Sequence, residues 1–199
     1  LGQGERVVLS GNGSRLLYTG AGETSDRILE VSNNATLDHS GTGELIFTED
    51  LVIGGNVKTL TLQGSANGIG VLGGAIGAGS AATSVSKSGA GMWRLSGANT
   101  YAGATTVSNG TLVLTGVNGA AASSSGFAIS SGCTLQLNNA VGANNTDRLG
   151  DAATVILNGG TLSFFHTGGA ADYSETAGPL TVLAGVNKVV ASQADDLRV

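Results

Sequence analysis

Charge is scarce in this chain. Charged residues make up 12% of 199 residues, against a usual share of about 25%. The nine lysines and arginines are scattered, and the net charge is −5. Nucleic-acid binders cluster their basic residues, and membrane-surface binders carry a polybasic patch, so both are excluded as readings. Cysteine is down to Cys133 alone, which rules out an intramolecular disulfide and leaves Cys133 as a small core or turn residue. Aromatic residues make up 4% and proline occurs once. No apolar run is long enough to span a bilayer as a helix, and the even alternation and aromatic girdles of a membrane barrel are missing. No amphipathic helical period of i, i+3, i+4 recurs. The chain starts at Leu1 and its only methionine is Met92. It therefore reads as a processed product or a piece of something longer, with no signal peptide.

What is abundant is glycine, at 34 residues, set among short runs in which leucine, isoleucine and valine alternate with polar residues. A disordered linker would share the glycine but not the alternation. Short strands separated by many turns satisfy both. Paired apolar positions fall on one strand face at Leu45 and Phe47, Leu60 and Leu62, Trp93 and Leu95, Leu112 and Leu114, Val155 and Leu157, and Leu162 and Phe164. The element Thr-Leu recurs at Thr59, Thr111, Thr134 and Thr161. The last three lie 23 residues (134 − 111) and 27 residues (161 − 134) apart. Such a period, without helical patterning, indicates a solenoid. At about 22 residues per rung, the chain makes eight or nine rungs, a rod of order 40 Å at about 4.8 Å per rung. A β-sandwich is the alternative fold.

The stretch from Lys87 to Leu114 carries the densest pattern: KSGAGMWRLSGANTYAGATTVSNGTLVL. Lys87, Gly89, Gly91, Trp93, Leu95, Ser96, Gly97, Asn99, Thr100, Tyr101, Gly103, Thr105, Thr106, Val107, Gly110, Thr111, Leu112 and Leu114 stand in the order of a known repeat. It resembles the autotransporter-associated β-strand repeat, also called the passenger-associated transport repeat. Two positions depart from that pattern, Ala104 and Met92. The resemblance implies a right-handed parallel β-helix within a large secreted or surface-displayed bacterial protein. It does not imply an enzyme.

The chain is accordingly read as one all-β module, a right-handed parallel β-helix over residues 1–199, with the repeat at 87–114. Residues 64–86, where Gly, Ala and Ser dominate, are expected to be a loop or an irregular rung. Residues 191–199 are expected to form a frayed or docking tail.

Candidate chemistry is thin. His39 sits beside Asp38, and His166 lies six residues from Asp172. Zinc sites need three or four clustered ligands, so both histidines read as solvated or turn residues. Glu49-Asp50 is a candidate cation pair that reads better as a solvated turn. Two carboxylates on neighbouring rungs could form a glycosidase pair, but no dense carboxylate cluster stands in the sequence. Trp93, Tyr18, Tyr101, Tyr173 and the phenylalanines could form a sugar platform. Strand phase instead sends Trp93 and Phe164 inward, and Tyr101 is expected to lock a turn through its hydroxyl. Asn99, Asn109, Asn138 and Asn158 flank strands and are expected to bond neighbouring turns. Sequons at Asn12, Asn34, Asn109 and Asn144 carry no weight in a bacterial chain.

No catalytic, cofactor or metal residue is assigned. The functional expectation is a structural stalk, adhesin segment or self-assembling filament on a bacterial surface. Its partners are then other copies end to end, the rest of a passenger chain, or surface glycans. The alternative is a carbohydrate-binding or carbohydrate-active β-helix.

Overall fold

A computed structural model describes residues 4–55, 59–77, 83–140, 143–167 and 173–194. All regular elements in it are strands. The first rung holds β1 (Arg6–Leu9), β2 (Ser14–Tyr18) and β3 (Glu23–Ser25). The second holds β4 (Ile28–Val31), β5 (Ala35–His39) and β6 (Gly43–Phe47), and the third β7 (Val52–Ile53), β8 (Thr59–Gly64) and β9 (Gly68–Leu72). Later rungs hold two strands each: β10 (Ser84–Lys87) with β11 (Met92–Leu95), β12 (Thr105–Val107) with β13 (Thr111–Leu114), and β14 (Gly126–Ser130) with β15 (Thr134–Asn139). The last two pair β16 (Thr154–Asn158) with β17 (Thr161–Thr167), and β18 (Leu180–Val182) with β19 (Lys188–Ala194).

Each strand bonds in parallel to its counterpart one rung away. Two eight-stranded sheets result, with a three-stranded sheet (β1, β4 and β7) on the third side of the first rungs. Eight rungs make seven turns, about 34 Å of rod at about 4.8 Å per rung. Beyond β7 the third side continues as single bridges, Leu51 to Ile76, Ala98 to Ala120 and Ala121 to Leu149. The chain is thus an all-β parallel solenoid, and the sandwich alternative fails because no two strands of these sheets run antiparallel.

In-register stacking makes the core a set of columns. One runs Leu16, Leu37, Leu62, Lys87, Val107, Ile129, Leu157 and Val182. On the facing sheet Leu45, Gly70, Trp93, Leu112, Leu135, Leu162 and Val189 form another. Each leucine buried there contributes about 1.5–3 kcal/mol relative to an exposed one. Thr111, Thr134 and Thr161 stack in one sheet, whereas Thr59 belongs to the other, where it pairs with Ser84. The twenty-odd-residue spacing is therefore a rung period for the last three only.

Two expectations change. Within the stretch 64–86, residues 68–72 form β9 and residues 84–87 form β10, both in register with their neighbours; residues 78–82 lie outside the described residues. β9 hid from the sequence because two of its inward positions are glycines, Gly68 and Gly70, while Ile69 and Val71 face outward. Gly70 is there for space. A Cβ on it would lie 2.5 Å from atoms of the Trp93 indole. The second change is the tail. Ala191 to Ala194 continue β19 as paired strand, and residues 195–199 lie outside the described residues.

Candidate functional site

The sequence of the 87–114 stretch builds a set of buried polar locks between rungs. Trp93 is 1% exposed, and its Nε1–H donates to Gln63 O at 2.9 Å, one rung back. Gly110, at the corner between β12 and β13, has φ +70°, and a Cβ there would meet Gly89 O and Gly91 O at 2.5 Å. Only glycine turns this corner without displacing the neighbouring rung. Tyr101 locks its turn as expected. Its hydroxyl lies 2.8 Å from Thr105 Oγ1, which lies 2.9 Å from Ser124 Oγ, itself 3.0 Å from Gly103 O. A carbonyl can only accept, so the proton order follows: Ser124 donates to a carbonyl, Gly103 O at 3.0 Å or Gly126 O at 3.1 Å, Thr105 to Ser124, and Tyr101 to Thr105. Burial pushes the Tyr101 hydroxyl above its ordinary pKa, so it stays a donor.

Asn99 is the inter-rung bridge that its position predicted. Its Oδ1 accepts from Ile76 N at 2.9 Å, and its Nδ2 donates to Gly97 O at 2.9 Å and Ala120 O at 2.7 Å. Three rungs meet on one carboxamide. Asn99→Ala should cost about 1–3 kcal/mol, because it strands the buried N–H of Ile76, while Gly97 O and Ala120 O keep only their backbone donors, Ala120 N and Asn99 N; urea unfolding of the two proteins measures it. Asn109 and Asn158 are exposed, and the side-chain oxygen of Asn138 is buried without a partner. Sequence reasoning missed Asn34, Asp50 and Asn187, which accept from Thr59 N, Ala75 N and Gly159 N at 3.0, 2.6 and 2.6 Å. A signal was present for Asn187. It repeats the Gly-x-Asn of Gly97-Ala98-Asn99, and donates back to Gly185 O as Asn99 does to Gly97 O.

Lys87 stands inside an aliphatic column, fully buried. Its ammonium turns to the corner, donating to Gly89 O and, at 3.0 Å, to Asn109 O. Burial pulls its pKa from 10.5 down to about 8, and Cys133 acts in the opposite sense. Between those values the unfolded chain holds one more proton than the folded one, so stability rises with pH. From pH 7.5 to 9.5 the rise due to Lys87 should be roughly 2 kcal/mol. Lys87→Met should remove it, read as the change in urea midpoint at the two pH values for each protein.

A second lock lies outside the repeat. Arg148 is fully buried. Its Nε donates to Asn139 Oδ1 at 2.7 Å, its Nη1 to Gly119 O, and its Nη2 reaches Gly116 O, Asn138 O and Ala143 O at 2.8–2.9 Å. One guanidinium thus ties the loop 116–119 to Asn138, Asn139 and Ala143. Glu175 holds the same place from the next rung, accepting from Arg148 N at 3.1 Å and Leu149 N at 2.7 Å. Burial pushes the Glu175 carboxyl and the Tyr173 hydroxyl upward.

The remaining candidates are dispersed. His39 is buried, not solvated: its Nε2 lies 3.0 Å from Gly43 O, and Tyr18 packs edge-on at 5.4 Å. It is inward because it ends β5 where Gly68, in the next rung, leaves room for the ring. Asp38 is buried under Arg15 and Ser40 and faces no metal partner. His166 stacks on Tyr173 at 6.2 Å with both ring nitrogens buried and unpartnered; Asp172 lies outside the described residues. Asp50 accepts from Ala75 N in the next rung at 2.6 Å. Cys133 is buried at a strand entry, and burial pushes its thiol up. Phe164 packs against the core but is only half-buried, since its partner in the last rung is the small Ala191. Among the described residues, no three His, Cys, Asp or Glu side chains cluster as a metal site would require.

The last rung is open. Leu180, Val182 and Val189 continue inward columns yet are 49%, 58% and 54% exposed.

The family model of the passenger-associated-transport-repeat matches residues 85–114. The chain carries a passenger-associated transport repeat. In the solenoid this repeat spans β10 to β13, two rungs with the Asn99 and Tyr101 corner between them. Over 104 residues, 49% of the chain, the sequence is 36% identical to the "Adhesin BmaC autotransporter" of Brucella suis biovar 1 (strain 1330). The chain spans about 3% of the length of that curated relative. No solved structure matches significantly.

Proposed function

We propose that this chain is a length of rigid, non-catalytic β-solenoid from a bacterial surface or secreted protein of the adhesin type, continued by further rungs beyond β19. The open last rung carries this reading. Leu180, Val182 and Val189 sit where rungs two to seven bury their core residues, and another rung would bury them in turn. The shared repeat and the far longer adhesin relative support the same reading. Fusing the chain between a secretion signal and a translocating barrel in a bacterial host tests it. Antibody labelling of intact cells, with raised attachment to host cells, is expected. Retention inside the cell, or display without attachment, would overturn the surface-adhesin reading.

A second copy is the other occupant the geometry favours. Leu16 heads the column that Val182 ends, and Leu17, 50% exposed, stands in line with Leu183, also 50% exposed. Head-to-tail stacking does not close on itself, so it would grow a filament.

A further inference from the structure

We propose that the third side of rungs five to seven is a binding cleft for a neutral glycan. The proposal goes beyond the structural reading above and does not depend on it. Where the three-stranded sheet ends, the third side is held only by the bridges Ala98 to Ala120 and Ala121 to Leu149. Two clefts of about 350 Å³ each open there and meet at Ala122. Alanines line their floor, so the backbone is approachable. The rim is polar: Asn118 and Asp147 stand on the first cleft, and Ser125 and Asp151 on the second.

Asn118 is the decisive residue. It completes a Gly-x-Asn triplet, Gly116-Val117-Asn118, as Asn99 and Asn187 do. Those two asparagines turn back onto the glycine carbonyl and bond a neighbouring rung. Asn118 does not, because Arg148 Nη2 already occupies Gly116 O at 2.9 Å. Its carboxamide is exposed at the cleft and bonds no group among the described residues. The opposite wall is held just as firmly. Asn145 Nδ2 donates to Val117 O at 3.1 Å, and Asp147 N donates to Asn145 Oδ1 at 2.9 Å. A buried arginine therefore fixes the Asn118 side, Asn145 holds the Asp147 side, and a carboxamide and a carboxylate are left facing solvent on a preformed cleft.

The chemistry selects the ligand. A carboxamide both donates and accepts, a carboxylate accepts two bonds, and a hydroxyl does either, which matches the vicinal hydroxyls of a sugar. No lysine or arginine lines either cleft, and the one nearby guanidinium is buried in carbonyls. Sialylated or sulfated chains would meet Asp147 and Asp151 with like charge.

The test is an immobilised panel of neutral, sialylated and sulfated oligosaccharides, with an oligolysine peptide beside them, probed with the purified chain clustered on beads. Retention on neutral oligosaccharides is expected. Asn118→Ala combined with Asp147→Ala should lower it at least tenfold while the thermal midpoint holds, since both side chains are exposed. No retention on any neutral oligosaccharide would overturn the proposal. So would retention confined to anionic chains or to oligolysine, or retention that the double substitution leaves unchanged.

Discussion

Replacing Arg148 with methionine should lower the free energy of unfolding by about 3–4 kcal/mol. Methionine fills much of the same space, so the loss is one of hydrogen bonds. Four main-chain carbonyls would lose the guanidinium as donor and the Asn139 carboxamide oxygen would keep only Asn145 N at 3.4 Å, and each charge-assisted bond is worth about 1.5–3 kcal/mol, with the sum far from additive. Lysine is no remedy. It keeps the charge but cannot present a planar fork to two chain segments at once, so Arg148→Lys should still lose about 2 kcal/mol or more. Because rungs contact only their neighbours, the damage should be local. Amide exchange should quicken across 116–119, 138–140 and 143–145 and stay slow in β5 and β8. A loss under about 1 kcal/mol for both variants would show that the loops hold without the guanidinium.

The second large effect belongs to Trp93. Trp93→Ala removes the largest buried side chain in the solenoid and should cost about 3–5 kcal/mol. The sharper form of this prediction uses Gly70. In the native protein Gly70→Ala drives a methyl to within 2.5 Å of the indole, and overpacking of this kind costs about 1–3 kcal/mol. In a Trp93→Leu background the indole is gone and the added methyl fills the space it left. The double variant should therefore be more stable than the two single losses predict, with a coupling of about 1 kcal/mol or more. Additive losses would mean that Gly70 is required by the backbone of β9 and not by the tryptophan above it.

The fold was legible because a solenoid repeats its rules. Apolar residues at alternate positions placed Leu60, Leu62, Trp93, Leu95, Leu112 and Leu114 inward, and all are buried. The repeat at 87–114 was legible from the order of its glycines and aromatics, and the Asn99 and Tyr101 locks followed from their place in turns. Alternation failed where the inward residue was not apolar. β9 was missed because glycine cannot show a phase, and its reason, the indole of Trp93, lies 23 residues further on (93 − 70). His39 looked solvated because nothing local announces that Gly68 leaves room for its ring. Arg148 was missed for a related reason. A lone arginine in a polar turn region reads as surface, and its partners come from two segments one rung apart, which only the stacking brings together. The clefts were equally invisible, since they exist where the third sheet stops and no residue type marks that point.

The most direct test is light scattering with negative-stain microscopy on the purified chain over a concentration series, beside a variant with Val182 and Val189 both replaced by lysine. The central claim is an open solenoid end whose exposed core residues take another rung. It predicts that the chain associates end to end as concentration rises, and that the lysine variant, equally folded, stays monomeric. A native chain that remains strictly monomeric throughout, or a lysine variant that associates just as well, would contradict it.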